Sequence, residues 1–183
     1  MAFCSFLFYR KEGLYVQMTK DLLLDSPVIA AVKEDGELRQ ALSSDCQVIF
    51  LLYGTILNIK TLVEQIHKAG KICFVHIDLI EGLNNREIAV DGLVMLCRPD
   101  GIISTKGQLI RTAREMGLVT VQRFFALDSK GMESIEETLH AGTPHLMEIM
   151  PGVITKAIRR FQSFGIPVIA GGLLETKLEV TEA

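Results

Sequence analysis

Residues 100–122 read DGIISTKGQLIRTAREMGLVTVQ, and this stretch holds one complete unit of the fold. Gly101 to Ile103 is a short apolar run, and Lys106 to Met116 has helical spacing. Gly117 stands just past the last periodic residue, where a left-handed cap costs little. A second apolar run, Leu118 to Gln122, follows at once. Most such runs along the chain are apolar throughout instead of alternating, as strands covered on two faces are. Strand, helix, glycine stop and strand in this order is the βαβ unit of a parallel sheet.

The same unit recurs on both sides. Strand candidates are Val28 to Val32, Val48 to Leu52, Ile72 to Ile77, Gly101 to Ile103, Leu118 to Gln122, Leu146 to Ile149 and Val168 to Ala170. Between them Glu34 to Leu42, Ile59 to Ala69, Glu87 to Leu96, Lys106 to Met116, Met132 to Leu139 and Thr155 to Phe164 supply helices, with further stops at Gly70 and Gly165. Right-handed crossovers of this kind open into a doubly wound sheet or close into a barrel. The absence of G-x-G-x-x-G after the first strand, and polar residues at nearly every strand's C-terminal end, favour the barrel. The expected fold is therefore α/β, a TIM-barrel-like (β/α) repeat with seven recognisable βα units and the eighth strand missing, after a helix start at Glu175 to Glu182. Residues 26–183 form this incomplete barrel domain, and 1–25 an N-terminal extension outside any unit. Met18 reads as an ordinary start leading into the first strand.

The chain of 183 residues is one domain's worth, long enough to bury about 70% of its unfolded surface without staples. Its 19 Lys and Arg against 22 Asp and Glu leave a net charge of −3, so nucleic-acid contact requires a local basic patch. The four cysteines, Cys4, Cys46, Cys73 and Cys97, contain no C-x-x-C pair and indicate a reduced, cytoplasmic protein. The apolar opening Met1 to Tyr9 lacks a preceding basic region and a cleavage site. No apolar run approaches the ~18 residues of a membrane span, so no membrane partner is expected.

Side chains at the C-terminal ends of barrel strands form the working face. Here these are His76 and Asp78, Ser104-Thr105-Lys106, Gln122-Arg123, Glu148 with Pro151-Gly152, and Gly171-Gly172. Lys106 and Arg123 suit an anion, and the Gly171-Gly172 turn can present backbone N–H groups to a phosphate. His76, Asp78 and Glu148 can hydrogen-bond hydroxyls, so a small phosphorylated polyol fits the inventory. Each has a structural alternative: Asp78 as a helix cap, Glu148 as a buried partner of Arg123, Gly171-Gly172 as a tight turn, His76 as a hydrogen-bonded core residue. No metal is expected, since no second His or Cys lies near His76 and Asp78. The other histidines, His67, His140 and His145, read as solvated helix-face or loop residues. The best basic groups for RNA are Lys156, Arg159 and Arg160 on one helix and Arg111 and Arg114 on another, each set at spacings that share a face.

Five blocks in order, FVHIDLIEGL (74–83), DGIISTK (100–106), VQRFF (121–125), EIMPG (148–152) and IAGGL (169–173), closely resemble the glycerol uptake operon antiterminators, glycerol-3-phosphate-responsive regulators. The likeness runs from about residue 26 to 175. The resemblance implies a TIM-barrel-like, non-enzymatic protein, without catalytic residues or cofactor, that binds glycerol 3-phosphate and acts on leader mRNA to prevent transcription termination. It implies His76, Asp78, Lys106, Arg123 and Glu148 as the ligand pocket and Gly171-Gly172 as half of the phosphate site. The family's pattern continues into an eighth strand that this chain lacks, which removes the partner loop of that site. The alternative class is a barrel enzyme acting on a small phosphate ester, with Lys106 as a Schiff-base or electrostatic residue and Glu148 or His76 as acid or base. A remnant without function and a homo-oligomer both stay open at this point.

Overall fold

The structure is a computed structural model and describes residues 21–182 apart from 22, 24, 142 and 143. Most of the 1–25 extension, with Met18, lies outside the described residues. Seven strands form one sheet in strict chain order, every neighbouring pair parallel: β1 (Ala30–Val32), β2 (Val48–Leu51), β3 (Ile72–His76), β4 (Gly101–Ser104), β5 (Val119–Phe125), β6 (Leu146–Met150) and β7 (Val168–Ala170). A doubly wound sheet reverses its order at a switch point. This one never does, and it curls into a half-barrel. Among the described residues β1 and β7 each have one strand neighbour.

Among the described residues, seven helices cross over between the strands or follow the last: α1 (Asp35–Ser43), α2 (Ile59–Lys68), α3 (Ile88–Cys97), α4 (Gly107–Glu115), α5 (Ser129–Ala141), α6 (Thr155–Gln162) and α7 (Lys177–Glu182). Their apolar stripes set their orientation. In α2, Ile59, Leu62, Val63 and Ile66 are all buried, the i, i+3, i+4, i+7 face of an amphipathic helix. Leu109, Ile110 and Ala113 do the same in α4, and Ala157, Ile158 and Phe161 in α6. The left-handed stops expected at Gly70, Gly117 and Gly165 form, with φ of 73°, 77° and 70°.

Strand parity sorts the side chains into two cores. Ile49, Leu51, Cys73, Val75 and Ile102 face the helices, while Val48, Phe50, Phe74, Ile103, Val119, Val121 and Leu146 pack with one another on the concave face. Both sets are buried, as the unbroken apolar runs require, and each large side chain contributes roughly 1.5–3 kcal/mol. Phe50 and Phe74 meet at 5.5 Å in a tilted pair that fills the middle of the curl.

Two elements differ from expectation by three residues. Strand β5 runs three residues further, to Phe125, which puts Arg123 within the sheet and not in the loop beyond it. Helix α5 starts at Ser129, three residues early, because Asp128 caps it by accepting the Gly131 N–H at 2.7 Å.

Candidate functional site

Continuing the concave parity upward brings the polar residues together. His76 follows Phe74 on β3, Arg123 follows Val121 on β5, and Glu148 follows Leu146 on β6, each two residues beyond a concave core residue. All three are buried: His76 is 2% exposed, Arg123 8% and Glu148 5%. Register makes Arg123 and Glu148 direct cross-strand neighbours. Arg123 donates from Nε to Glu148 Oε2 at 2.7 Å and from Nη2 to Oε1 at 3.3 Å. The internal pairing foreseen for Glu148 therefore forms. A guanidinium has five N–H donors, and this pair uses two.

Glu148 is seated in turn by Gly171. A Cβ on Gly171 would overlap Oε1 of Glu148 and stand 3.0 Å from its Cγ and Cδ, so this glycine is required by sterics. Its N–H donates to the Ile149 carbonyl at 3.0 Å, continuing the ladder, and Gly152 N donates to its carbonyl. Gly171 thus shapes the carboxylate's seat, and Gly172, with φ of 73°, turns the chain away.

Asp78 sits in the single 3-10 turn Ile77–Leu79 that ends β3. It accepts from Ser104 Oγ at 2.7 Å through Oδ1, and from the Thr105 N–H and Oγ1, both at 2.8 Å, through Oδ2. Partial burial pushes its pKa up, but the hydrogen bonds from Thr105 and Ser104 and the nearby His76 outweigh it, and the net shift is down. Asp78 is an ionised clamp joining the ends of β3 and β4. Ser104 Oγ accepts the Lys106 N–H at 3.0 Å, which fixes the backbone just before α4. Lys106 stands at that entry, partly exposed. Ser104 and Thr105 are thus working parts that strand-end position flagged without giving them a role.

His76 is the unsatisfied member. Its Nδ1 is buried and has no hydrogen-bond partner among the described residues. Desolvation, then the Arg123 charge, lower its pKa from 6.5 to about 4 despite Asp78, so it is neutral at pH 7. A neutral ring nitrogen beside a partly used guanidinium can take a hydroxyl as partner. Burial of a group with a free hydrogen-bonding position is costly unless something meets it.

Lys156, Arg159 and Arg160 on α6 and Arg111 and Arg114 on α4 are all exposed, opposite the buried stripes. Arg160 Nε pairs with Glu136 Oε1 at 2.6 Å. His145 is a correction: it is not a solvated loop residue but ties β5 to β6, its Nδ1 accepting the Thr120 N–H at 3.1 Å. His67 Nε2 likewise meets Asp100 Oδ2 at 2.9 Å, and the His140 side chain lies outside the described residues. Burial holds Cys73 and Cys97 as thiols, Cys97 pushed up to about 12. No cluster of three metal-ligating side chains occurs, and no helix is long and apolar enough to cross a membrane, among the described residues.

Comparisons with known proteins agree with this architecture. Residues 28–183 match the family model described as glycerol-3-phosphate responsive antiterminator. The protein YgcP of Escherichia coli, itself uncharacterised, is 40% identical over 154 residues, 84% of this chain and 81% of that one. The glycerol uptake operon antiterminator regulatory protein of Listeria monocytogenes superposes with a TM-score of 0.81 at 33% identity, covering 84% of each chain. A glycerol uptake operon antiterminator-related protein of Thermotoga maritima gives 0.76 at 34%, covering 84% of this chain and 87% of its own. Deoxyribose phosphate aldolase of Aeropyrum pernix, at 12% identity, TM-score 0.62 and coverage of 92% and 87%, shares the fold alone.

Proposed function

The chain belongs to the glycerol-3-phosphate responsive antiterminators, and from that premise we propose a cytoplasmic, non-enzymatic regulator that binds glycerol 3-phosphate at the mouth of the half-barrel and, so loaded, acts on leader mRNA of glycerol-metabolism genes. One observation carries the ligand half: strand register gathers His76, Arg123 and Glu148, far apart in sequence, into one buried polar layer above an apolar floor. In this reading Arg123 and Lys106 attract the phosphate, and the Gly171-Gly172 turn borders it. His76 Nδ1 and Glu148 take hydroxyls, and Asp78 holds the β3 and β4 ends in place. No cofactor is required. Asp78, with three donors fixed on it, and Glu148, paired to Arg123, are acceptors held in position and not proton carriers. The ligand controls RNA binding only if it binds the RNA-competent state more tightly than the other.

A thermal-shift titration tests the pocket, with glycerol and inorganic phosphate as controls. Glycerol 3-phosphate at about 100 times its Kd should add about 2.7 kcal/mol of stability, a melting-point rise of several degrees. The controls should raise it far less. No selective rise overturns the ligand assignment, and RNA affinity unchanged by saturating glycerol 3-phosphate overturns the switch.

A further inference from the structure

The curl of the sheet leaves two edges, β1 and β7, each with one strand neighbour among the described residues. Both edges border one interior, since Ile29 beside β1 and Ile169 on β7 pack against the same concave core. That interior is uncovered along the edges. Ala31 is in register with Phe50, a concave core residue, so it faces the same way, yet it is exposed. Every residue of β2 and β4 is buried, whereas the apolar Val168, Ile169 and Ala170 of β7 are each only half-buried. A cavity of about 420 Å³ separates Val28, just before β1, from Leu174 and Val180 around α7, and α7 buries none of its described residues.

A strand that covers such a gap must be apolar on both sides, because it would meet the concave core on one and the helix layer on the other. One stretch of the chain has that character and no assigned place. Residues 2–9, AFCSFLFY, lie outside the described residues and are apolar but for Ser5, with the aromatic content that strands favour. Their length falls within the ~3–10 residues of globular strands. Their spacing fits as well. Residues 10–29, twenty in all, separate this run from β1, as residues 52–71, also twenty, separate β2 from β3. A crossover between parallel neighbours takes a dozen residues or more. Leu23, within that link, packs on the concave core, so the chain approaches β1 along the interior. We propose that residues 2–9 form an eighth strand, parallel to β1 and β7 and paired with both. It extends the strict chain order of the sheet by one place ahead of β1, and its far side meets β7 and completes an eight-stranded ring. Closure also removes two edges that would otherwise template pairing with other chains.

The test uses the full chain and two readouts. In amide hydrogen exchange, residues 2–9 should be protected as β4 is, and so should Ala30–Val32 and Val168–Ala170. Cys4 is covered whichever side of the strand it takes. In the native protein iodoacetamide should therefore modify it as slowly as buried Cys73 and Cys97, and roughly tenfold or more slower than the half-buried Cys46. Leu7→Asp places a charge on a strand with no solvated side. It should speed exchange of residues 2–9 and of both edges together, roughly tenfold or more, and that of β4 less. If this variant does not fold, exchange and Cys4 labelling of the parent chain decide the matter. Fast exchange of residues 2–9, or Cys4 as reactive as Cys46, overturns the strand. Protected residues 2–9 with edges unaffected by Leu7→Asp overturn its place in the gap. Protection confined to a dimer seen by light scattering overturns closure within one chain and gives the segment to a second copy.

Discussion

Gly171→Ala is the most direct probe of how the site is built. The new methyl would overlap Oε1 of Glu148 and come within 3.0 Å of Cγ and Cδ. Glu148 cannot retreat freely, because its oxygens are held by Arg123 Nε and Nη2, and both side chains are buried. Overpacking of this kind costs about 1–3 kcal/mol. For a domain of this size that lowers the melting temperature by roughly 2–12 °C. The decisive measurement is a cycle with Glu148→Ala. That change alone strands a buried guanidinium and should cost about 3–5 kcal/mol. In its background the obstructing carboxylate is gone, so Gly171→Ala should cost less than about 1 kcal/mol, a coupling of one kcal/mol or more between neighbours. Urea unfolding of the four proteins gives all terms. Equal costs of Gly171→Ala in both backgrounds would refute the claim that this glycine exists to seat the carboxylate.

His76 titrates near pH 4 when folded and near 6.5 when unfolded, so the unfolded chain takes up the proton first as pH falls. Stability should therefore decline from pH 6.5 to about 4 by an amount on the order of 3 kcal/mol, then level off, and His76→Gln should flatten that window; an unchanged slope refutes the assignment. Asp78 has the same sign of linkage, a carboxylate held below its ordinary value near 3.8, so its contribution is full above that value and is lost as pH falls below it. Asp78→Asn should cost roughly 1–3 kcal/mol in denaturant at pH 7 and progressively less as pH falls below 3.8, and a cost independent of pH refutes the clamp. Arg160→Ala removes an exposed, solvent-screened pair with Glu136 and should leave stability nearly unchanged while weakening RNA binding, with a shallower salt dependence; an unchanged salt slope removes α6 from the RNA surface.

The barrel order was legible because strands such as Val48–Leu51 and Ile72–His76 are apolar on both faces and punctuated by glycine. That His76, Arg123 and Glu148 gather at one rim was legible too, because strand ends form one rim whatever the register. Three things were not. The length of β5 was hidden because Gln122-Arg123 reads as a polar stop, whereas Arg123 stays in the sheet by finding Glu148 across from it. The meaning of Gly171 was hidden because a glycine required by a neighbour's carboxylate and one required by a turn look alike in sequence. His145 was misread because its partner Thr120 lies 25 residues away, and only parallel pairing of β5 with β6 joins them.

Thr105 stands between two parts of the rim, bonded to Asp78 at the ends of β3 and β4 and lining a cavity that Arg123 also lines on β5. For the switch proposed above, linkage requires equality: the factor by which glycerol 3-phosphate tightens RNA binding is the factor by which bound RNA tightens glycerol 3-phosphate. That equality does not depend on the route of coupling. Removing the Thr105 hydroxyl and side-chain bond by Thr105→Val tests the route, since it should shrink both factors together while each ligand still binds alone.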